Sequence, residues 1–191
     1  MCGIVGLFLK DAALEPRLGD MLTDMLITMT DRGPDSAGIA IYGDETTGNA
    51  KLTVQSNTPD VDFDKLDNDL RKRIKGKVSM DVKDTHAVLS IQADQVADAR
   101  AILGDIRPDV RVMSHGSTLE IYKEVGLPKN VAERFDIRQM SGTHGIGHTR
   151  MATESAVTTM GAHPFNTGID QCLVHNGSLS NHNSLRRKLR R

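Results

Sequence analysis

The 191-residue sequence predicts an α+β domain, and three observations carry that reading. Short apolar runs rich in β-branched residues recur along the chain, as buried strands do. A strongly amphipathic helix separates the first two of them. Clusters of Gly, Pro, Asn and Asp punctuate the sequence in between. The length fits one domain, or one domain carrying a smaller insertion.

Taken in order, Gly3-Ile4-Val5-Gly6-Leu7-Phe8-Leu9 reads as a buried strand that begins almost at the terminus. Leu18, Met21, Leu22, Met25, Leu26 and Met29 recur at i, i+3, i+4 and i+7, one apolar face of a helix starting after Pro16. Its methionines read as core filler. Asp31-Arg32-Gly33-Pro34-Asp35 ends the helix, because proline cannot continue it. Ala37 to Tyr42 reads as a strand, with Leu52 to Gln55 its partner across the polar Asp44–Asn49 loop.

From about 60 to 135 the texture changes to a small α+β insertion within the 1–191 domain. Phe63, Leu66, Leu70 and Ile74 mark one charged amphipathic helix, and Val96–Leu103 a second. His86–Ile91, Val110–Met113 and Thr118–Tyr122 read as strands. The insertion carries no recognisable chemistry, and docking to a partner subunit is the role expected of it. Gly142 to Arg150 is Gly-rich, with residues of the kind that line sites. Cys172-Leu173-Val174-His175 is a strand running into an Asn176-Gly177 turn, with Cys172 a small core residue. Ser178 or Ser180 caps a closing helix that carries Leu185 and Leu189.

Composition excludes several function classes. Lys+Arg 24 against Asp+Glu 25 rules out nucleic-acid binding by bulk basicity. Aromatic residues at 3%, with no Trp, leave no stacking platform for single strands. No apolar run approaches a membrane span, and the start shows no basic leader with a long apolar core. Two cysteines make no disulfide framework, so a reducing, cytoplasmic setting is expected. His144 and His148 are spaced i, i+4, but the intervening glycines argue for strand or loop, and no metal is expected. The basic tail Arg186-Arg187-Lys188-Leu189-Arg190-Arg191 reads as the solvated face of a helix rather than an RNA-binding arm.

Cys2 is the most informative residue. Removal of Met1 would make it the N-terminus, where an α-amine near pKa about 7.7–8.0 and a thiol near about 8.5 both sit close to neutrality. Such a nucleophile carries its own general base, acting directly or through one water. Alone, the plain alternative is an accidental cysteine. Asn176-Gly177 offers a side-chain NH2 and a backbone N–H side by side, the donor pair an oxyanion hole for acyl transfer requires, or else a simple turn. Arg150 ends a Gly-rich strand, and its planar fork suits a substrate carboxylate or a structural ion pair.

Together the motifs resemble a family. Met1-Cys2-Gly3-Ile4-Val5-Gly6, Asp31-Arg32-Gly33-Pro34-Asp35-Ser36-Ala37-Gly38, His148-Thr149-Arg150-Met151-Ala152-Thr153, Ala162-His163-Pro164-Phe165 and Val174-His175-Asn176-Gly177 look like the ordered motif set of class II glutamine amidotransferases. These are N-terminal-nucleophile (Ntn) hydrolase domains, and the resemblance covers the first fifty residues and roughly 140–191.

The resemblance implies a four-layer αββα sandwich. It implies that Cys2 attacks the glutamine side-chain amide and forms a γ-glutamyl thioester, with Asn176 and Gly177 holding the oxyanion. Arg150 would clamp the substrate α-carboxylate with Thr153 nearby. Arg32 would support the nucleophile and His163 would order a loop beside the site. The glucosamine-6-phosphate synthase, amidophosphoribosyltransferase and glutamate synthase groups are the three relatives to weigh. Arg32–Ser36, Thr143–Arg150 and the insertion are most similar to the stand-alone glutaminase subunit of glutamate synthase-like enzymes, such as N-methylglutamate synthase. No cofactor would then bind this chain. FMN would sit in a partner synthase subunit that accepts the ammonia in a hetero-oligomer. The alternatives are the glutaminase domain of an amidophosphoribosyltransferase-like enzyme, or an amidotransferase-like subunit that only scaffolds its partner. One departure stands out: no Asp follows Gly177 where the family grips the glutamine α-amine, so the domain is expected to be truncated C-terminally.

Overall fold

The computed structural model describes residues 1–152, 156–177 and 181–190. The chain opens with β1 (Gly3–Phe8), and a short 3-10 segment at Ala12–Arg17 leads into α1 (Leu18–Thr28). Asp11 caps that segment by accepting from the Ala13 amide at 3.0 Å. After a second 3-10 turn at Thr30–Arg32 come β2 (Ser36–Tyr42) and β3 (Asn49–Gln55). Then follow α2 (Pro59–Asp62), α3 (Leu66–Arg71), β4 (Ser79–Lys83), β5 (His86–Gln92) and α4 (Val96–Ile106). The rest comprises β6 (Arg111–Gly116), β7 (Leu119–Val125), α5 (Pro128–Arg134), β8 (His144–Arg150), β9 (Phe165–Gly168), β10 (Gln171–Leu173) and α6 (His182–Leu189).

The strands form two four-stranded sheets, ordered β1-β8-β2-β7 and β4-β5-β3-β6, plus a β9-β10 hairpin. Every pairing is antiparallel, so the fold is α+β, as the sequence predicts. On the first sheet Val5, Ile39, Ile41 and Tyr122 pack under Leu18, Leu22 and Leu26 of α1 and Val131 and Ala132 of α5. This is where the Gly-rich stretch finds its use. A Cβ on Gly145 would lie 2.7 Å from Leu22 Cδ2, and one on Gly147 would lie 2.8 Å from Val5 Cγ2 and 2.9 Å from Leu26 Cδ1. Both positions are bare so that α1 can lie close against β8.

On the opposite face Ala40, Leu119 and Ile121 pack against Met113 of β6, with Cys172 of β10 beside them. The β1 side of that face stays open, and Phe8 is 68% exposed. The second sheet has its own core, in which Leu52, Val54, Leu89 and Ile91 lie against Leu66, Leu70 and Leu103.

Three local expectations differ from what forms. Leu52–Gln55 was expected to pair with Ala37–Tyr42, yet β2 is flanked by β8 and β7, and β3 pairs with β5 and β6. The intervening loop crosses over the β6–β7 turn, where Gly43 donates to Thr118 O at 3.1 Å, and so delivers β3 to the other sheet. The helix expected from Phe63, Leu66, Leu70 and Ile74 is shorter: only α3 (Leu66–Arg71) forms there, separated from the preceding α2 by a turn with Lys65 at φ 53°, although all four marker residues are buried together. The stretch 60–135 is shared between layers: β4, β5 and β6 join β3 in the second sheet, while β7 returns to the first. Ser178 and Ser180, expected as caps, lie outside the described residues, and Asn181 precedes the first turn of α6.

Candidate active site

β1 and β8 run side by side, with Gly3 opposite Thr149. This register brings residue 2 to the end of β8. Thr149 secures it: its Oγ1 accepts from the Gly3 amide and donates to Met29 O, each at 3.2 Å. The start of β1 and the end of α1 are thereby tied to one buried hydroxyl. The chain beyond β8 is held from the Asp31–Asp35 turn. Asp35 donates its amide to Arg150 O at 3.1 Å, and its Oδ2 accepts from Ala152 N at 2.7 Å. Met151, between those two bonds, flanks the N-terminus: its carbonyl is 3.9 Å from Cys2 Sγ and its sulfur 3.2 Å from the Met1 amine.

Cys2 is half-buried, and its carbonyl oxygen is a meeting point. Asn176 Nδ2 donates to it at 2.9 Å and Arg32 Nε at 3.4 Å. Three of the predicted site residues, drawn from positions 2, 32 and 176, therefore meet at one oxygen. Gly177 follows Asn176 directly, at the exposed end of the same segment. Arg150 ends β8 and is 9% exposed, with Nη1 donating to Ala156 O at 3.3 Å. It thus sits one residue from Met151 and spans to the loop that follows. Thr153, predicted to bind substrate beside it, lies outside the described residues.

His163 is set further in. The His163–Pro164 peptide is cis, and the segment lies over Gly38 of β2, where a Cβ would collide with the His163 carbonyl. Its ring centroid is 4.3 Å from that of His148 and 4.5 Å from that of Phe165. Burial first, and then the neighbouring His148, Lys123 and Arg150, pull its pKa down to about 4, so the ring is neutral near pH 7.

Lys123, on β7, lies buried under the same segment and donates to Ala162 O at 2.8 Å and Pro164 O at 3.1 Å. Its ammonium is 4.4 Å from the Phe165 ring centroid, and burial lowers its pKa to about 8. His144 and His148 share a face of β8 about 13 Å apart, at roughly 3.3 Å per residue, and His144 stacks on Tyr42 at 4.0 Å. Among the described residues no group of three or more His, Cys, Asp or Glu is placed to hold a metal ion.

The chemistry available is that of the Cys2 thiol near the start of the chain, with an amide donor and a guanidinium both held on the carbonyl of the same residue. Comparison with known proteins adds a second line of evidence. It is 68% identical over 190 residues to the glutamine amidotransferase-like protein GlxB of Rhizobium meliloti (strain 1021), covering 99% of this chain and 62% of that one. A Methanothermobacter thermautotrophicus protein described as a glutamine amidotransferase is 35% identical, over 100% of this chain and 66% of its own length. The glutamine–fructose-6-phosphate aminotransferase (isomerizing) of Methanosarcina mazei is 40% identical over 77 residues, 39% of this chain and 12% of that enzyme.

The chain belongs to the class II glutamine amidotransferase family. It spans less than two thirds of the first two relatives' own lengths. No protein-family model matches it.

Asp35, His148 and Thr149 fall within the motifs quoted above, yet nothing in the sequence marks what each does at the candidate site. Lys123 was detectable in principle, since it falls on the inward face of the alternation with Leu119 and Ile121.

Proposed function

We propose that this chain is a glutaminase subunit that hydrolyses glutamine to glutamate and ammonia through Cys2. The observation that carries the reading is the convergence of Asn176 and Arg32 on the Cys2 carbonyl, which puts an amide donor beside the thiol. Removal of Met1 frees the Cys2 α-amine, which takes the thiol proton, directly or through one water, as sulfur adds to the substrate amide carbon. The oxyanion is held by Asn176 Nδ2–H and Gly177 N–H. Collapse breaks the C–N bond, the ammonium returns its proton to the leaving nitrogen, and ammonia departs from a γ-glutamyl thioester. Water activated by the same amine then releases glutamate and restores the thiol. Arg150, with Thr153, binds the α-carboxylate. Arg32 steadies Cys2, and His163 orders the 162–164 segment.

The ammonia goes to a partner synthase of the glutamate synthase or N-methylglutamate synthase type, in a cytoplasmic hetero-oligomer, with FMN carried by that partner. Among the described residues, no helix is long and apolar enough to cross a membrane. The test is intact mass after exposure of the full-length protein to a diazo-ketone analogue of glutamine, with Cys2→Ala as control. Loss of Met1 and one adduct confined to Cys2 is the expected result. Retained Met1 would remove the amine base and overturn the mechanism.

A further inference from the structure

Behind the site lies a histidine that the mechanism above does not use. His148 is fully buried on β8, and its Nε2 is 3.1 Å from the backbone carbonyl of His175, the residue before Asn176. A carbonyl only accepts, so Nε2 carries the hydrogen. In the neutral ring Nδ1 is then bare, and it is buried without a hydrogen-bond partner. Burial, with smaller help from the charges of Arg150 and His175, lowers the His148 pKa against the opposing pull of the His175 carbonyl bond.

On its other side the ring meets His163 at 4.3 Å, and the carbonyls flanking His163 are bound by Lys123. The imidazole is therefore clamped between a fixed backbone segment and the strand end it supports. The β9-β10 hairpin needs such support. β10 has only three residues, and Val174 to Gly177 continue beyond its last sheet pairing. Within that extension His148 supplies a donor one residue before the amide that touches Cys2.

We propose that His148 is a positioning residue, whose Nε2–H bond to the His175 carbonyl sets Asn176 where it can serve the oxyanion. The assignment rests on the glutaminase reading given above. Two substitutions isolate the bond. Glutamine places an amide nitrogen near the Nε2 position, whereas asparagine places its amide near Nδ1 and leaves the His175 carbonyl without its donor.

Glutamine hydrolysis by the full-length protein, followed as ammonia release, is expected to lose tenfold or more in kcat for His148→Asn, with KM within about twofold, and to be largely restored in His148→Gln. Because the effect passes through Asn176, adding His148→Asn to Asn176→Ala should cost nothing beyond the roughly 10²–10³-fold loss of an oxyanion donor. A rise in KM at unchanged kcat, equal loss in both His148 variants, or losses that multiply with Asn176→Ala would overturn the proposal. Should the wild-type protein neither hydrolyse glutamine nor take the Cys2 adduct, the underlying glutaminase reading fails instead, and His148 loses this role with it.

Discussion

A single hydroxyl shows how closely the residue scale governs the site. Thr149 Oγ1 serves the Gly3 amide and Met29 O at once, so the backbone beside Cys2 depends on it. Replacing it by the near-isosteric valine leaves the shape and removes both bonds, stranding a buried amide at a cost of about 1–3 kcal/mol. Thr149→Val is therefore expected to lower the melting temperature by about 2–4 °C per kcal/mol lost in a domain of this size. It is also expected to slow labelling of Cys2 by the diazo-ketone. A variant with unchanged melting and unchanged labelling would show that the β1–β8 ladder alone holds Cys2. Arg150 behaves otherwise: its predicted partner is a substrate, and what the fold supplies is a buried start and a loop carbonyl to rest on.

At the scale of elements, the β9-β10 hairpin is too short to hold its own register, and Asp170 compensates. In the left-handed conformation at φ 51°, which aspartate tolerates, its carboxylate accepts from the amides of Ser117, Thr118 and Leu119 at 2.8, 2.9 and 2.9 Å. The Ser117 and Thr118 hydroxyls add two further bonds at 3.0 Å. Burial pushes the Asp170 pKa up, but the Thr118, Ser117 and Leu119 amides outweigh it and bring it down to about 2.

A depressed carboxylate stabilises the fold above its unfolded value of about 3.9 and loses that contribution as pH falls towards 2. Asp170→Asn should then melt earlier than wild type at neutral pH, with the gap closing as the solution is acidified through that window. A gap independent of pH would mean that packing, not the ionised carboxylate, docks the hairpin. The loop after Arg150 has a comparable tether: Glu124 of β7 accepts from the Thr159 hydroxyl on one side and from Thr85, in the β4–β5 turn, at 3.2 Å on the other.

Across the whole molecule the two sheets are joined through a buried aromatic contact. His86 of β5 is fully buried, with its ring 4.7 Å from Phe135 and 5.9 Å from Tyr122 of the first sheet's core. Burial, aided by Lys123 and Arg134, pulls its pKa down to about 3. The unfolded chain, with a histidine near 6.5, binds the proton first. Stability is thus undiminished above about pH 6.5 and falls by up to about 1.4 kcal/mol per pH unit below it, towards pH 3. His163, at about 4, adds to the same slope. His86→Phe keeps the ring and removes the titration, so melting temperatures measured at about pH 5 and about pH 7.5 should lie closer together than in wild type. An unaltered difference would place the acid sensitivity elsewhere.

Much of this was legible in the chain itself. Apolar periodicity located α1 and β1, because a 3.6-residue stripe and a β-branched run are local properties. The motifs resembling class II glutamine amidotransferases singled out Cys2, Arg32, Arg150 and Asn176, and the structure sets Arg32 and Asn176 on the Cys2 carbonyl. Strand partnership was not legible: β2 and β3 look like a hairpin, and only competition from β7 and β8 for both edges of β2 parts them. Nor was the use of the glycines, which stand at positions 145 and 147 for the sake of a helix more than a hundred residues earlier. His148, Lys123 and Asp170 share that fate. His148 stood out only as part of a motif and Lys123 and Asp170 not at all, and each gains its partners only when long-range packing brings them within hydrogen-bond reach. The sequence by itself determined the elements and the chemical groups. The tertiary structure decided which of those groups are buried, and burial is what makes a hydrogen bond obligatory and shifts a pKa.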